Sequence, residues 1–384
     1  MRAEAWRSAN GRFRVAEFFA GAGLVRQALE PLGGEVLFAN DIEPFKHKLY
    51  AANFDAEHFV LDDVRNVSGR SVPTVDVATS SFPCTDLSLA GNRAGLDGNQ
   101  SSMFWEFARV LREMGRRRPR VVLLENVPSF LNSRAGRDLR DAIAELNDLG
   151  YVCDLLVLDA RAFVPQSRPR LFIVGTRGRV AGWRNPVELP LVENDPLRPP
   201  RVRKFIADHP ELRFQIGLSE APTTIPSHLA DVVERLPADH TAWWPLDRVD
   251  AFVSSLAPLH SERLRELTAG RSVAWATAYR RTRHGRAVWE IRADGLSGCL
   301  RTARGGSSRQ ALVEAGRGKT RVRWMMPAEY ARLQGVPHFK LDVVSNNQAL
   351  FALGDAVCVP AVRWVVERYV LHALMDRRGA VSAA

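Results

Sequence analysis

The chain has 384 residues, of which 46% are apolar and 25% charged, with 27 Gly and 22 Pro. Those proportions exclude a disordered, collagenous or coiled-coil protein and allow two domains, or one large domain carrying an insertion. The net charge of +10 points to a polyanionic partner. Cys84, Cys153, Cys299 and Cys358 form no C-x-x-C pair, so neither a zinc site nor a disulfide framework is expected. No bilayer-length apolar run and no N-terminal signal core is read, which predicts a cytoplasmic protein.

From Phe13 onward, short β-branched runs alternate with amphipathic stretches, the pattern of βα units on a parallel sheet. Strands are predicted at Arg14–Phe19, Val36–Ala39, Val75–Ser80, Val121–Glu125, Val152–Leu158 and Arg170–Gly175. Helices are predicted at Val25–Leu32, Pro44–Asn53, Met103–Met114 and Arg137–Leu149. Together they make a doubly wound α/β domain over residues 1–177. After Arg177 prolines become dense and the alternation stops, so residues 178–297 are expected to form a smaller inserted domain. Its predicted elements are helical patches at His228–Leu236 and Leu246–Leu267 and a hairpin, Ala276–Arg283 with Arg286–Arg292, turning at His284-Gly285. Residues 298–384 are expected to return to the first domain, with helices at Pro327–Leu333 and Ala361–Met375.

Chemistry concentrates at predicted strand ends. Phe19-Ala20-Gly21-Ala22-Gly23-Leu24 lies between a strand and a helix, where glycines let the backbone approach a ligand. Arg26 stands where a dinucleotide fingerprint needs its third glycine, which argues against NAD or FAD. Asp41 ends the next strand, placed either to accept both hydroxyls of a ribose or to cap the helix opening at Pro44. Pro83-Cys84 opens a loop running through Gly91, Gly95 and Gly98, and Glu125 ends a buried strand in a carboxylate. Arg168 and Arg170, on alternate residues entering another strand, are expected to face one pocket.

These words occur in a fixed order: Phe19 to Gly23, Asn40-Asp41, Asp63-Val64, Pro83-Cys84, Glu125-Asn126-Val127, Gln166 to Arg170, a long gap, Arg301 to Ser307, and Gly354 to Val357. In that order and spacing the chain resembles the DNA (cytosine-5) methyltransferases of bacterial restriction-modification systems over nearly its whole length. The resemblance implies a Rossmann-like S-adenosylmethionine-dependent domain with an inserted target-recognition domain. Cys84 would add to C6 of a flipped-out cytosine, Glu125 would contact N3 and the exocyclic amine, Arg170 would hold O2 and Arg168 would support the pocket.

By the same resemblance, Phe19, Ala20, Gly21, Gly23, Leu24, Asp41, Ile42, Asp63, Val64, Pro83, Asp355, Ala356 and Val357 would hold S-adenosyl-L-methionine, leaving S-adenosyl-L-homocysteine as product, with no metal. Double-stranded DNA would be met by Ser88, by Arg280, Arg281, Arg283 and Arg286 around the hairpin turn, and by Arg301, Arg304, Ser307 and Arg309. A monomer is implied, nucleoid-associated through DNA; a cognate restriction endonuclease encoded nearby is compatible with the resemblance, with no stable complex implied. Glu17, Leu24, Thr85 and Asp355 depart from the common pattern, which usually has Asp, Gly, Gln and Asn there. The related tRNA methyltransferases carry a Cys-Phe-Thr tripeptide that is absent here. Trp243-Trp244 and the other three cysteines are read as core.

The charge surplus gathers late in the chain. Arg301, Arg304, Arg309, Arg317, Lys319, Arg321 and Arg323 stand against Glu314 alone. This stretch is expected to grip phosphates independently of sequence, with affinity falling steeply with salt.

Overall fold

The computed structural model describes residues 11–83, 102–186, 195–224, 227–283, 285–302 and 309–376. They divide into two compact units, one of Met1–Asp159, Pro169–Thr223 and Val359–Ala384, the other of Ala160–Arg168 and Thr224–Cys358.

The first unit is built on seven strands: β1 (Phe13–Phe18), β2 (Gly34–Asp41), β3 (Phe59–Leu61), β4 (Val77–Ser80), β5 (Val121–Asn126), β6 (Tyr151–Asp159) and β7 (Pro169–Arg177). Their order is β3-β2-β1-β4-β5-β7-β6. The pairs β1–β2, β1–β4, β2–β3 and β4–β5 are parallel, whereas β7 is antiparallel to both β5 and β6. The expected all-parallel sheet therefore ends at β5. Only Ala160–Arg168, with a single 3₁₀ turn at Ala160–Ala162, separates β6 from β7, and a parallel crossover needs a dozen or more residues.

The helices α1 (Leu24–Leu29), α2 (Pro44–Asn53), α3 (Met103–Met114) and α4 (Arg137–Asp148) follow β1, β2, β4 and β5. In α3, Phe104, Phe107, Ala108, Leu111 and Met114 recur at helical spacing and join Phe18, Phe38 and Ala78 of the sheet in one core; Leu139, Ala142, Ile143 and Leu146 of α4 complete it.

The proline-rich stretch after Arg177 belongs to this first unit as far as Thr223, so the expected boundary at 178 moves. Its anchor is a buried carboxylate: Asp154 of β6 accepts from Arg198 Nε at 3.0 Å and Nη2 at 2.5 Å, and from the Gly217 amide at 2.8 Å. Between those partners runs α5 (Pro200–Asp208), which the irregular composition had concealed.

The second unit holds a four-stranded antiparallel sheet, β11-β10-β8-β9, formed by β8 (Ala274–Arg283), β9 (Arg286–Arg292), β10 (Ala311–Gly316) and β11 (Lys319–Trp324). Trp244, Phe252 and Leu264, from and beside α6 (Leu246–Ser254) and α7 (Pro258–Ala269), pack on Ala276, Ala278, Ile291, Val313 and Val322. The predicted β8–β9 hairpin forms in its expected register. The β10–β11 hairpin was not foreseen. It turns at Arg317-Gly318 with φ of 53° and 75°, a geometry usually announced by Asn-Gly or Asp-Gly, and it ties residues after 298 to this unit.

Two predicted helices also change. The run Leu246–Leu267 splits before Pro258, whose ring forces Ala257 into an extended conformation. His228–Leu236 shortens to one 3₁₀ turn, Leu229–Asp231, because the Val232 and Glu234 carbonyls accept from Arg332 and Arg323 side chains instead of from helix amides.

Beyond α8 (Pro327–Leu333), the stretch Asn346–Met375 is long and apolar enough to cross a membrane by length and composition alone, which the sequence reading did not credit. It breaks at Ala356, where ψ is 161°, into α9 (Asn346–Asp355) and α10 (Val359–Val365), the latter continued through a π-turn to α11 (Leu371–Met375). Val359, Val362, Val365 and Val366 are all buried.

Arg323 and Glu329 form a fully buried ion pair in the second unit, with Arg323 Nη1 and Nη2 at 2.9 and 2.5 Å from the carboxylate. Arg323→Ala leaves that carboxylate uncompensated and should cost roughly 3–5 kcal/mol of stability. A thermal melt would show this as a lower Tm; an unchanged melt would mean that the pair does not hold the unit.

Candidate active site

The parallel strands β1, β2, β4 and β5 all end at one edge of the first unit's sheet. From β1 the chain winds outward through β2 and β3, then returns to β4 on the opposite side of β1. This is the switch point at which open α/β sheets bind ligands.

On the β1 side, Phe19, Gly21 and Gly23 all have positive φ, at 57°, 57° and 87°. For Phe19 that conformation costs of order 1–2 kcal/mol, and such strain collects at functional turns. A Cβ at Gly23 would lie 2.7 Å from the Phe54 ring and 2.9 Å from Tyr50, so no side chain fits there. At Gly21 the nearest atom would be 3.9 Å away, which leaves open space over the loop. Arg26, in place of a third glycine, lies over Phe54 at 4.8 Å and donates to Tyr50 Oη at 3.1 Å.

Asp41 bonds to the backbone on two sides. Its Oδ1 accepts the Glu43 amide at the entrance to α2, and its Oδ2 accepts the Gly21 amide, each at 2.9 Å. Ile42 beside it is 58% exposed and Leu61, opposite Asp41 in the β2–β3 ladder, is 43% exposed. Together they give the loop an apolar flank suited to a flat ring. Leu61 was not foreseen, because a three-residue strand carries too little pattern. Asp63 caps the turn at Val64: its carboxylate accepts the Arg65 amide at 2.9 Å and pairs with that guanidinium at 2.6 Å, and the Arg65 hydrogen bond holds it below its ordinary range. Val64 itself is buried, and Leu24 is core on α1.

Beneath the loop lie polar groups without aligned partners. Neither Glu17 carboxylate oxygen meets a well-aligned hydrogen-bond donor, nor do the hydroxyls of Thr79, which pairs with Glu17 across the β1–β4 ladder, and Ser80. Burial pushes the Glu17 carboxyl up to about 8, with the Arg26 amide and charge offsetting part of the effect.

On the β4 side, the chain leaves the sheet through Ser80-Ser81-Phe82-Pro83. Phe82 is buried against Phe104 and Phe130, with ring centroids 5.7 and 5.9 Å away. Asn126 Nδ2 donates to the Phe82 carbonyl at 3.2 Å, which fixes the backbone one residue before Pro83. This positioning role for Asn126 was missed, although the residue sits in a motif already singled out. Cys84 and Ser88 lie outside the described residues. At the end of β5, Glu125 Oε1 stands 2.8 Å from Arg170 Nε of β7, both side chains largely buried.

The partners of Arg168 and Arg170 among the described residues differ. β7 begins at Pro169, so strand alternation does not reach Arg168. Its buried guanidinium donates within the second unit to the carbonyls of Leu300 at 2.8 Å and Ala356 at 2.6 Å. Gln166 and Gln334, not foreseen as a pair, brace the same segment: Gln166 Nε2 donates to the Leu333 carbonyl at 2.7 Å and Gln334 Nε2 to the Leu353 carbonyl at 2.6 Å. Gly354 packs so closely that a Cβ would sit 2.3 Å from the Arg301 carbonyl. Asp355 is exposed at the end of α9, Ala356 half-buried and Val357 buried.

Of the expected DNA contacts, Arg280, Arg281, Arg283, Arg286 and Arg301 are exposed, while Arg304 and Ser307 lie outside the described residues. Arg309 is half-buried, its guanidinium 5.3 Å over the Trp324 ring, and burial lowers its pKa. Trp244 is core and Trp243 Nε1 is spent on the Pro237 carbonyl at 2.9 Å. Burial pushes the Cys153 thiol up, which keeps it unreactive.

Glu17 predicts a pH dependence. Its folded-state pKa lies above the unfolded value, so its contribution to stability is complete below about pH 4.5 and is lost as pH rises through about 8. By linkage the loss is at most about 5 kcal/mol. Glu17→Gln should remove this slope and melt higher than the wild type at pH 8.5; parallel Tm-against-pH curves would show that Glu17 is ionised throughout.

The C-5 cytosine-specific DNA methylase family matches residues 13–370. The type II methyltransferase M.NlaX of Neisseria lactamica is 26% identical over 372 residues, 95% of this chain and 99% of that enzyme. M.DsaV of Dactylococcopsis salina is 25% identical over 363 residues, 94% and 87% of the two chains. With M.MspI of Moraxella the identity rises to 35%, but the match takes in 164 residues, 42% of this chain and only 38% of that enzyme. Among solved structures, S. pombe Dnmt2 methyltransferase superposes with a TM-score of 0.59 at 16% identity, covering 93% of this chain and 98% of that one, a likeness of fold. The chain belongs to the C-5 cytosine-specific DNA methylase family.

Proposed function

We propose that the protein methylates C5 of a flipped-out cytosine within a specific duplex sequence, by way of a covalent bond between Cys84 and C6, as the modification enzyme of a restriction-modification or related defence system. The observation that carries this reading is the Glu125–Arg170 pair at the ends of β5 and β7, beside the Asn126 clamp on the backbone leading to Pro83-Cys84.

The loop over β1 and β2 fits S-adenosyl-L-methionine. Gly21 leaves space, Asp41 offers a carboxylate, and Ile42 and Leu61 offer an apolar flank. When bound, that cofactor supplies an electrophilic methyl group. Phe19, Gly23 and Asp63-Val64 would complete the pocket.

The residues of the chain do the rest. The Cys84 thiolate adds to C6, breaking the ring conjugation and making C5 nucleophilic. Glu125, one oxygen held by Arg170, delivers a proton at N3 as charge develops there. Arg170 accommodates O2, and Arg168 acts as a positioning residue through the loop carbonyls it clamps. Once C5 carries the methyl group, N3 returns its proton to Glu125; loss of the C5 proton to water then lets the C6–S bond break and the thiolate leave. The second unit would read the DNA sequence, the enzyme working as a monomer beside a nuclease of matching specificity.

Cys84→Ala should abolish methylation, and duplex DNA carrying 5-fluorocytosine should trap a covalent adduct with the wild type and none with the variant. Base-resolution mapping of a plasmid from expressing cells reads activity and target sequence together. Methylation by Cys84→Ala at the wild-type rate would overturn the covalent route.

A further inference from the structure

The four arginines around the β8–β9 turn are not equivalent. Tyr279, Arg281 and Arg283 alternate onto one face of β8, and Glu290, paired with Tyr279 across the ladder, lies on that face, whereas Arg280 pairs with Trp289 on the other. The Glu290 side chain is 7% exposed, a rare burial for a carboxylate on a hairpin surrounded by water. Arg283 Nε and Nη2 approach it at 2.7 and 2.6 Å, Arg281 Nε stands at 3.5 Å, and the Tyr279 hydroxyl adds a hydrogen bond. The Arg281 guanidinium also lies 5.2 Å over the Tyr279 ring. Burial alone would push the Glu290 carboxyl up, but the Arg283 and Tyr279 hydrogen bonds and the two guanidinium charges outweigh it and hold it below its ordinary range.

We propose that Glu290 is a specificity-determining positioning residue, fixing the Arg283 and Arg281 forks so that their outer edges read guanine in the target duplex. The inference deepens the DNA-methylation reading and rests on it. Two features favour base reading over phosphate grip. A carboxylate beside a cation weakens its pull on any phosphate, so a hairpin meant only to hold the backbone gains nothing from Glu290. A guanidinium with one edge tied to a carboxylate is instead frozen in orientation while the other edge remains available, the arrangement that a bidentate contact to guanine O6 and N7 requires. Arg281 and Arg283 keep 45% and 57% of their side-chain surface in solvent, so that second edge can reach a partner.

The test compares full-length wild type, Glu290→Gln and Arg283→Lys on a plasmid library with randomised bases around the mapped target cytosine. Base-resolution mapping gives the flanking-base profile, and non-specific duplex affinity is measured in parallel. Glu290→Gln should lose about tenfold or more of its preference for guanine at one or two positions while non-specific affinity stays level or tightens. Arg283→Lys keeps the charge without the fork and should relax one of the same positions, which covers the case in which Glu290→Gln folds poorly. Unaltered profiles in both variants, or an equal loss on every sequence, would overturn the role of Glu290. A wild type that leaves all cytosines unmodified would instead overturn the proposed reaction, and this inference with it.

Discussion

Asp41 is the constraint on which the candidate site depends. Its two oxygens are shared between the Gly21 amide and the Glu43 amide, so the turn after β1 and the turn after β2 are held in one geometry by a single carboxylate. That clamp sustains a backbone with three positive φ angles within five residues, one of them at Phe19, which would relax if the loop were free. With the loop so fixed, Gly23 can lie against Tyr50 and Phe54 and Gly21 can remain uncovered. A carboxylate that serves as scaffold in the free protein can accept a ligand hydroxyl only by sharing or exchanging one of those amides. Ligand binding and loop order are therefore coupled through the same oxygen atoms.

Buried charge recurs, with a different resolution each time. Asp154 is surrounded by Arg198 and a backbone amide and draws the proline-rich segment onto the sheet edge. Glu329 is neutralised by Arg323 and also accepts the Met326 and Glu234 amides, so one carboxylate joins β11, α8 and the strandless stretch after His228. Glu17 is offset only in part, by the Arg26 amide and charge, and burial pushes its carboxyl up. The first two satisfy their surroundings within the fold, whereas the third remains only partly offset beneath the loop with the open glycine.

Much of the first unit was legible because its elements carry strong local signals: period-3.6 apolar faces in α3 and α4, β-branched runs in β4 and β5, and glycines where the turn demands them. The less legible features depend on partners far away in sequence. The direction of β7 follows from a linker too short for a crossover, which a strand-by-strand reading does not weigh. The assignment of residues 195–223 rests on Arg198 meeting Asp154, forty-four positions earlier. The turn at Arg317-Gly318 lacks the usual Asn-Gly word, so β10 and β11 went unread. At the site, motif order located Asp41, Glu125 and Arg170, but the division of labour between Arg168 and Arg170 turns on where β7 starts, a boundary that local pattern places least well.

The charge surplus takes on a different meaning once its members have partners. Within the basic stretch from Arg301 to Arg323, Arg323 is consumed by Glu329, Arg321 is paired with Glu314 and stacked at 4.7 Å over Trp243, and Arg309 is half-buried over Trp324. These three make contacts within the second unit. Among the described residues of the stretch, Arg301, Arg317 and Lys319 carry exposed charge. The hairpin divides in the same way, with Arg283 and Arg281 oriented by Glu290 and Arg280 turned to the opposite face. A net +10 is therefore an upper bound on what the surface can offer a polyanion. On the proposed reading, sequence-independent grip would fall to exposed cations such as Arg280, Arg317 and Lys319, and discrimination to those that an acidic neighbour has already oriented.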